Sequence, residues 1–124
     1  MTQAQVQFSA DKIIELLSLW GIRTAKEEWM QSDIAFALTT EEVPFEREVA
    51  FGPRDRIDFL VGTVGVECKV AGSANQVMRQ LSRYAESDRI TELVLVTSKA
   101  SHRQLNNSEM MGKIIRVRYI WGIG

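Results

Sequence analysis

The stretch that most constrains the fold runs from Arg54 to Tyr84, and above all from Asp58 to Lys69. Two apolar runs, Arg56–Val61 and Val66–Val70, flank Gly62-Thr63-Val64-Gly65 and read as an antiparallel hairpin closed by a glycine-flanked turn. Strand side chains alternate faces, so Glu67 and Lys69 point one way while Val66, Cys68 and Val70 point the other. Pairing across the turn then brings Asp58 near Glu67 and Lys69. Two carboxylates and one ammonium on an otherwise Val/Ile/Leu/Phe hairpin are costly to bury unless they bind each other or something else. The plainer alternative is a wet sheet face on which the three charges form a surface ion-pair ladder.

The flanking sequence supplies the other layers. From Ser9 or Asp11, residues Ile13, Ile14, Leu16, Leu17 and Trp20 fall at helical spacing, with Gly21 as the stop. Thr24-Ala25-Lys26-Glu27 matches a capping box and predicts a second helix from Thr24, its apolar side built from Trp29, Met30, Ile34, Phe36, Ala37 and Leu38. Trp20 and Trp29 read as core anchors rather than base-stacking platforms. Pro44 ends a connection, and Phe45–Phe51 then alternates as a first strand, with Phe45, Arg47, Val49 and Phe51 on one side and Glu46, Glu48 and Ala50 on the other.

Beyond the hairpin, Ser73 N-caps a helix over 74–87 that sets Val77, Leu81 and Tyr84/Ala85 on one stripe and Gln76, Gln80 and Tyr84 on an adjacent column. Glu92–Thr97 is a near-continuous apolar run, as in a strand covered on both faces. Residues 98–111 are polar and loop-like, with room for a short helix, and hold Lys99, His102 and Arg103; Lys113–Trp121 is the last strand. The order predicts an α/β domain with a mixed central sheet flanked by helices.

At 124 residues the chain is expected to form a single domain over 1–124, with 1–8 flexible. No apolar run approaches the ~20 residues of a membrane span, and no signal peptide is visible. One cysteine and one histidine argue against internal disulfides and zinc sites and fit a reducing, cytoplasmic setting. Charge is uneven: residues 1–48 carry nine acidic against four basic side chains, and residues 49–124 seven against eleven. That split is compatible with a basic working face toward the C-terminus. Neither a phosphate loop of the G-x-x-x-x-G-K type nor a Ser/His or Cys/His nucleophile spacing is present.

Asp58, then eight residues, then Glu67-Cys68-Lys69, set in hydrophobic strands and followed at once by a helix, resembles the motif of the PD-(D/E)XK nuclease superfamily. Gln80-Leu81-Ser82-Arg83-Tyr84 is similar to the Q-x-x-x-Y element of its RecB-like and Cas4-like branches; Ile57 stands where the name-giving proline would precede Asp58. The resemblance spans about residues 24–120 and implies a restriction-endonuclease-like αβββαβ core and a metal-dependent DNA endonuclease, acting in repair, recombination, restriction or phage DNA processing. It makes Asp58, Glu67, Lys69, Gln80 and Tyr84 the catalytic set. Asp58, Glu67 and the Cys68 carbonyl would hold Mg²⁺ or Mn²⁺, joined by an upstream acid, with Glu48 and Glu27 ahead of Glu28 and Glu46. Arg54, Arg56, Arg79 and Arg83 would track DNA phosphates. Small members of the superfamily often dimerise, so a homodimer or a recruiting protein partner is an expectation of the resemblance. Two other readings stay open: a catalytically inactive nuclease-fold module for nucleic-acid binding or assembly, and an interaction protein whose charges are a surface cluster.

Overall fold

The central hairpin forms where its alternation places it, and the sheet extends from both of its sides. A computed structural model describes residues 8–121. Its helices are α1 (Ala10–Leu17), α2 (Glu27–Thr40) and α3 (Ala74–Ala85); its strands are β1 (Glu46–Ala50), β2 (Arg56–Val61), β3 (Val64–Lys69), β4 (Glu92–Thr97), β5 (Glu109–Met110) and β6 (Lys113–Tyr119), with a 3-10 helix at Ala100–Leu105. The strands make one six-stranded sheet in the order β1-β2-β3-β4-β6-β5. Strands β1, β2 and β3 pair antiparallel; β3, β4 and β6 run parallel; β5 is antiparallel to β6. Among the described residues no helix is long and apolar enough to cross a membrane.

Each sheet face carries its own core. Ile13 and Leu17 of α1 and Met30, Ile34 and Leu38 of α2 pack on Phe59, Val66, Cys68, Val94 and Val96. Val77, Leu81 and Tyr84 of α3 pack on Ile57, Leu60, Leu93, Leu95 and Ile115. Strand β4 contributes alternate residues to both, which is why its sequence is apolar throughout rather than alternating. The Ser73 cap is as read: its hydroxyl accepts from the Gln76 N–H while the Gln76 side chain accepts from the Ser73 N–H.

The turn is tighter than the glycine spacing suggests. Only Gly62 and Thr63 lie between β2 and β3, with Gly62 at φ 62° in the first central position. Gly65 belongs to β3, and its missing side chain leaves room for Ile57, Ile90 and Leu93: an added Cβ would collide with Ile57 Cδ1 and lie 2.8 Å from Ile90 Cδ1.

Several boundaries and faces differ from the sequence reading. Helix α1 ends at Leu17, short of Gly21, because Leu19 and Trp20 N–H groups bond three residues back to Leu16 and Leu17. Helix α2 starts at Glu27, not Thr24, and its N-cap Lys26 makes no side-chain cap bond. The cause is Asp33, whose carboxylate takes the Arg23 backbone N–H at 2.7 Å and both Arg23 Nε and Nη2 at 3.0 Å, holding the approach to the helix against its side. The apolar residues of α2 exceed the width of one face. Met30, Ile34, Ala37 and Leu38 are buried, while Trp29 is 39% and Phe36 63% exposed, so Trp29 is not a core anchor. Trp20 is half-buried, packed on Phe36 and donating to Glu41. Phe8, expected to be flexible, packs on the α1/α2 core; the rest of that expectation, residues 1–7, lies outside the described residues. Helix α3 stops at Ala85 and β6 at Tyr119, each two residues early.

Strand β1 does not keep its alternation. Glu48 sits at φ 52°, and the strand changes face there: Phe45 packs with Phe59 on the α1/α2 side, whereas Val49 and Phe51 join the α3 side. We predict that Gly65→Ala destabilises the fold by ~1–3 kcal/mol, since three core side chains must give way. Urea denaturation checks this; wild-type stability in the variant would show the packing at Gly65 to be loose.

Candidate active site

The site is set where β2 and β3 stop pairing. Their ladder runs from the turn only to Phe59↔Val66. One residue further on, side chains take over the work of the backbone. Asp58 Oδ2 accepts the Cys68 N–H at 2.7 Å, and Glu67 Oε1 accepts the Asp58 N–H at 3.1 Å. This reciprocal exchange satisfies two amides that the parting strands would otherwise strand in a largely buried place. It also fixes both carboxylates side by side. The N–H and C=O of one strand residue point the same way, so the Cys68 carbonyl faces the same gap.

Helices on both faces complete the arrangement. Lys69, two residues beyond Glu67 on the same side of β3, brings Nζ to 3.5 Å from Glu67 Oε2. From α3, the Tyr84 hydroxyl donates to the Arg56 carbonyl at 2.8 Å, accepts from Gln80 Nε2 at 2.8 Å, and lies 3.4 Å from Glu67 Oε2. Gln80 and Tyr84 are thus one bonded pair, four residues apart on the helix. From α2, Gln31 Nε2 donates to Asp58 Oδ1 at 3.1 Å.

Electrostatics make the pair costly as two charges. Glu67 is 3% exposed, and burial first, then the Asp58 charge, push its carboxyl up to about 8. Burial likewise raises Asp58, against a lowering by the Cys68 N–H bond. Burial and the two acids raise the Tyr84 phenol, which keeps it protonated. A solvated surface ion-pair ladder would leave Glu67 exposed; here it is enclosed with one ammonium to offset two carboxyls.

The predicted residues divide clearly. Asp58, Glu67, Lys69, Gln80 and Tyr84 come together, with the Cys68 backbone among them; the Cys68 thiol points into the α1/α2 core. Of the upstream acids, Glu27 is close enough for its charge to raise both Asp58 and Glu67, while Glu48 is exposed on β1 across from Asp58 and contributes to neither shift. Glu28 is exposed, and exposed Glu46 is paired with Arg89. Arg54, Arg56, Arg79 and Arg83 are all exposed. Arg54 and Arg83 line a cleft of about 480 Å³ with Pro53 and Asp55, but Arg83 Nε is held by Asp55 at 2.7 Å. Among the described residues no three His, Cys, Asp or Glu side chains form a group able to hold a metal ion. Two carboxylates and a carbonyl are what converge.

Two residues were not found from the sequence. Gln31 belongs to no motif; its one signal is that it follows Glu27 by a helical turn, on the same face. His102 is fully buried, its Nε2 bonded to the Gly72 carbonyl at 2.8 Å and its Nδ1 to Thr97 Oγ1 at 2.7 Å. Comparison with protein-family models, with curated proteins and with solved structures yields no match in any of the three. The resemblance therefore stands on the residues and geometry of this chain.

The Glu67 shift has a testable sign. In the native chain its proton is held to about pH 8, while an unfolded chain releases it near 4.5. The native state binds more protons in between, so this group's stabilisation is full below the lower value and is lost as pH rises through the upper one. In EDTA, stability should fall between about pH 5 and 8, and Glu67→Gln should flatten that fall. Identical pH profiles from thermal melts of the two proteins would show that Glu67 ionises normally.

Proposed function

We propose that this chain is a metal-dependent phosphodiester hydrolase acting on DNA, of the PD-(D/E)XK kind, with a restriction-endonuclease-like core spanning α2 to β4 and its flanking strands. The observation that carries the reading is the reciprocal bonding that sets Asp58 and Glu67 side by side with Lys69 3.5 Å from Glu67. Paired buried acids with one nearby cation are disfavoured as two anions, and a divalent ion relieves that cost.

The residues present fit a hard cation. Asp58, Glu67 and the Cys68 carbonyl would hold it, which suits Mg²⁺ or Mn²⁺ because such ions keep several waters and need few protein oxygens. Glu27 is the upstream acid better supported as a contributor, directly or through water, since its charge reaches both carboxyls. When bound, the ion would supply Lewis-acid relief of phosphoryl charge and make a water easier to ionise.

The chain's own groups supply the remainder. Hydrolysis forms one P–O bond from water and breaks the P–O bond to a sugar oxygen; the proton lost by the water balances the one gained by the leaving oxygen. Lys69 orients the water and places positive charge beside the developing oxyanion. Gln80 and Tyr84 lock the Glu67 side of the site to Arg56, so the carboxylates keep their geometry when charge changes. Gln31 does the same for Asp58 from the other face.

The test is cleavage of labelled single-stranded, duplex, flap and four-way-junction DNA with Mg²⁺, Mn²⁺ or EDTA. The expected result is metal-dependent cutting by the wild type that Glu67→Ala and Lys69→Ala lower by at least ~10²-fold. If neither wild type nor variant cuts but both bind DNA equally, the inactive-module reading replaces this one.

A further inference from the structure

The carboxyl ends of β3, β4 and β6 lie on one sheet edge, and the candidate active site occupies only the β3 end of it. Lys69 is in register with Thr97, and Thr97 with Tyr119, so the three side chains share one face. Two strand spacings of ~4.8 Å put Tyr119 roughly 10 Å from Lys69 along that edge.

At Tyr119 the surface gathers donors. Arg103 stacks its guanidinium 4.8 Å from the Tyr119 ring centroid. Arg103, Asn106, Val117 and Tyr119 line a pocket of about 180 Å³. Among the described residues Arg103 bonds only through Nε, to the Ala100 carbonyl, which leaves both terminal nitrogens to donate. Asn106 Oδ1 accepts the Val117 N–H, which fixes the amide and leaves its NH₂ to donate. Among the described residues the Tyr119 hydroxyl has no hydrogen-bond partner, and no acidic side chain lines this pocket.

The arrangement is held from behind. A carbonyl only accepts, so His102 Nε2 donates to Gly72 and Nδ1 accepts from Thr97 Oγ1, whose oxygen also takes the Lys99 N–H at 3.0 Å. His102 thereby clamps the 3-10 helix between the end of β4 and the loop before α3, and Arg103 is the next residue along it.

The geometry points to a second, non-catalytic phosphate subsite, in which Arg103, Asn106 and Tyr119 hold a backbone phosphate of the nucleic acid strand whose scissile phosphate lies at Asp58 and Glu67. This assignment rests on the nuclease reading and extends it along the strand. A phosphate is the ligand that donors beside a fixed guanidinium select where no acidic side chain joins them.

The experiment is fluorescence anisotropy of labelled single-stranded and duplex oligonucleotides at several salt concentrations, with Ca²⁺ present and the DNA checked intact. Arg103→Met keeps the aliphatic packing on Tyr119 and removes the charge. It should weaken binding several-fold for all sequences and lower the slope of log affinity against log salt by about 0.7–0.9, one phosphate contact. Arg103→Lys should retain the slope. Arg89→Met, an equal charge loss before the opposite end of β4, should leave the slope unchanged. A wild-type slope in Arg103→Met, or an equal drop in Arg89→Met, overturns the subsite and leaves the nuclease reading standing. Absence of nucleic-acid binding by the wild type overturns both.

Discussion

Asp58 and Glu67 each accept a backbone N–H across the point where β2 and β3 separate, and most of what is distinctive in this molecule depends on that exchange. An antiparallel ladder ordinarily satisfies its own amides. Ending the ladder at Phe59↔Val66 opens a gap in the middle of a sheet, which is tolerable only because two carboxyls fill it. Polar atoms from β2, β3, α2 and α3 meet at this gap. The cost of placing two acids there is visible in the raised affinity of both for protons.

The surrounding structure is arranged around this opening. Opposite Asp58, β1 turns through a left-handed residue at Glu48, a conformation that costs a non-glycine residue of order 1 kcal/mol, and passes from one core to the other. Gln31 ties Asp58 to α2, and Tyr84 with Gln80 ties Glu67 and the Arg56 carbonyl to α3. Two separate cores therefore hold the two halves of one site. The parallel half of the sheet carries the edge onward from Lys69 to Tyr119, with buried Thr97 between them covered by His102.

What could be read from the sequence follows the range of the interactions involved. Alternation fixes the faces of β3 and the burial of β4, and the Ser73 N-cap bond spans three residues, so these were legible, whereas the return bond of the Gln76 side chain was not read. So was the meeting of Asp58, Glu67 and Lys69, because a hairpin converts sequence separation into proximity. The start of α2 was misread because Asp33, ten residues from Arg23, decides it. The face change in β1 depends on one backbone torsion at Glu48 that its residue type does not announce. Gln31 and His102 acquire their roles from partners 27 and 30 residues away, for which no local pattern exists. Trp29 has the spacing of a core residue but lies beyond the strip that the sheet can cover; Arg23 and Lys26 approach its ring instead.

We propose that the Asp58–Glu67 pair seats a divalent cation in place of a proton. Titration of Mn²⁺ into the protein by calorimetry, in two buffers of different ionisation enthalpy near pH 7, measures binding and proton release together. The expected result is one site that releases a proton on filling and that is lost in Asp58→Asn, with Glu67→Gln binding weakly and releasing none. No binding by the wild type, or equal binding by all three proteins, would contradict it.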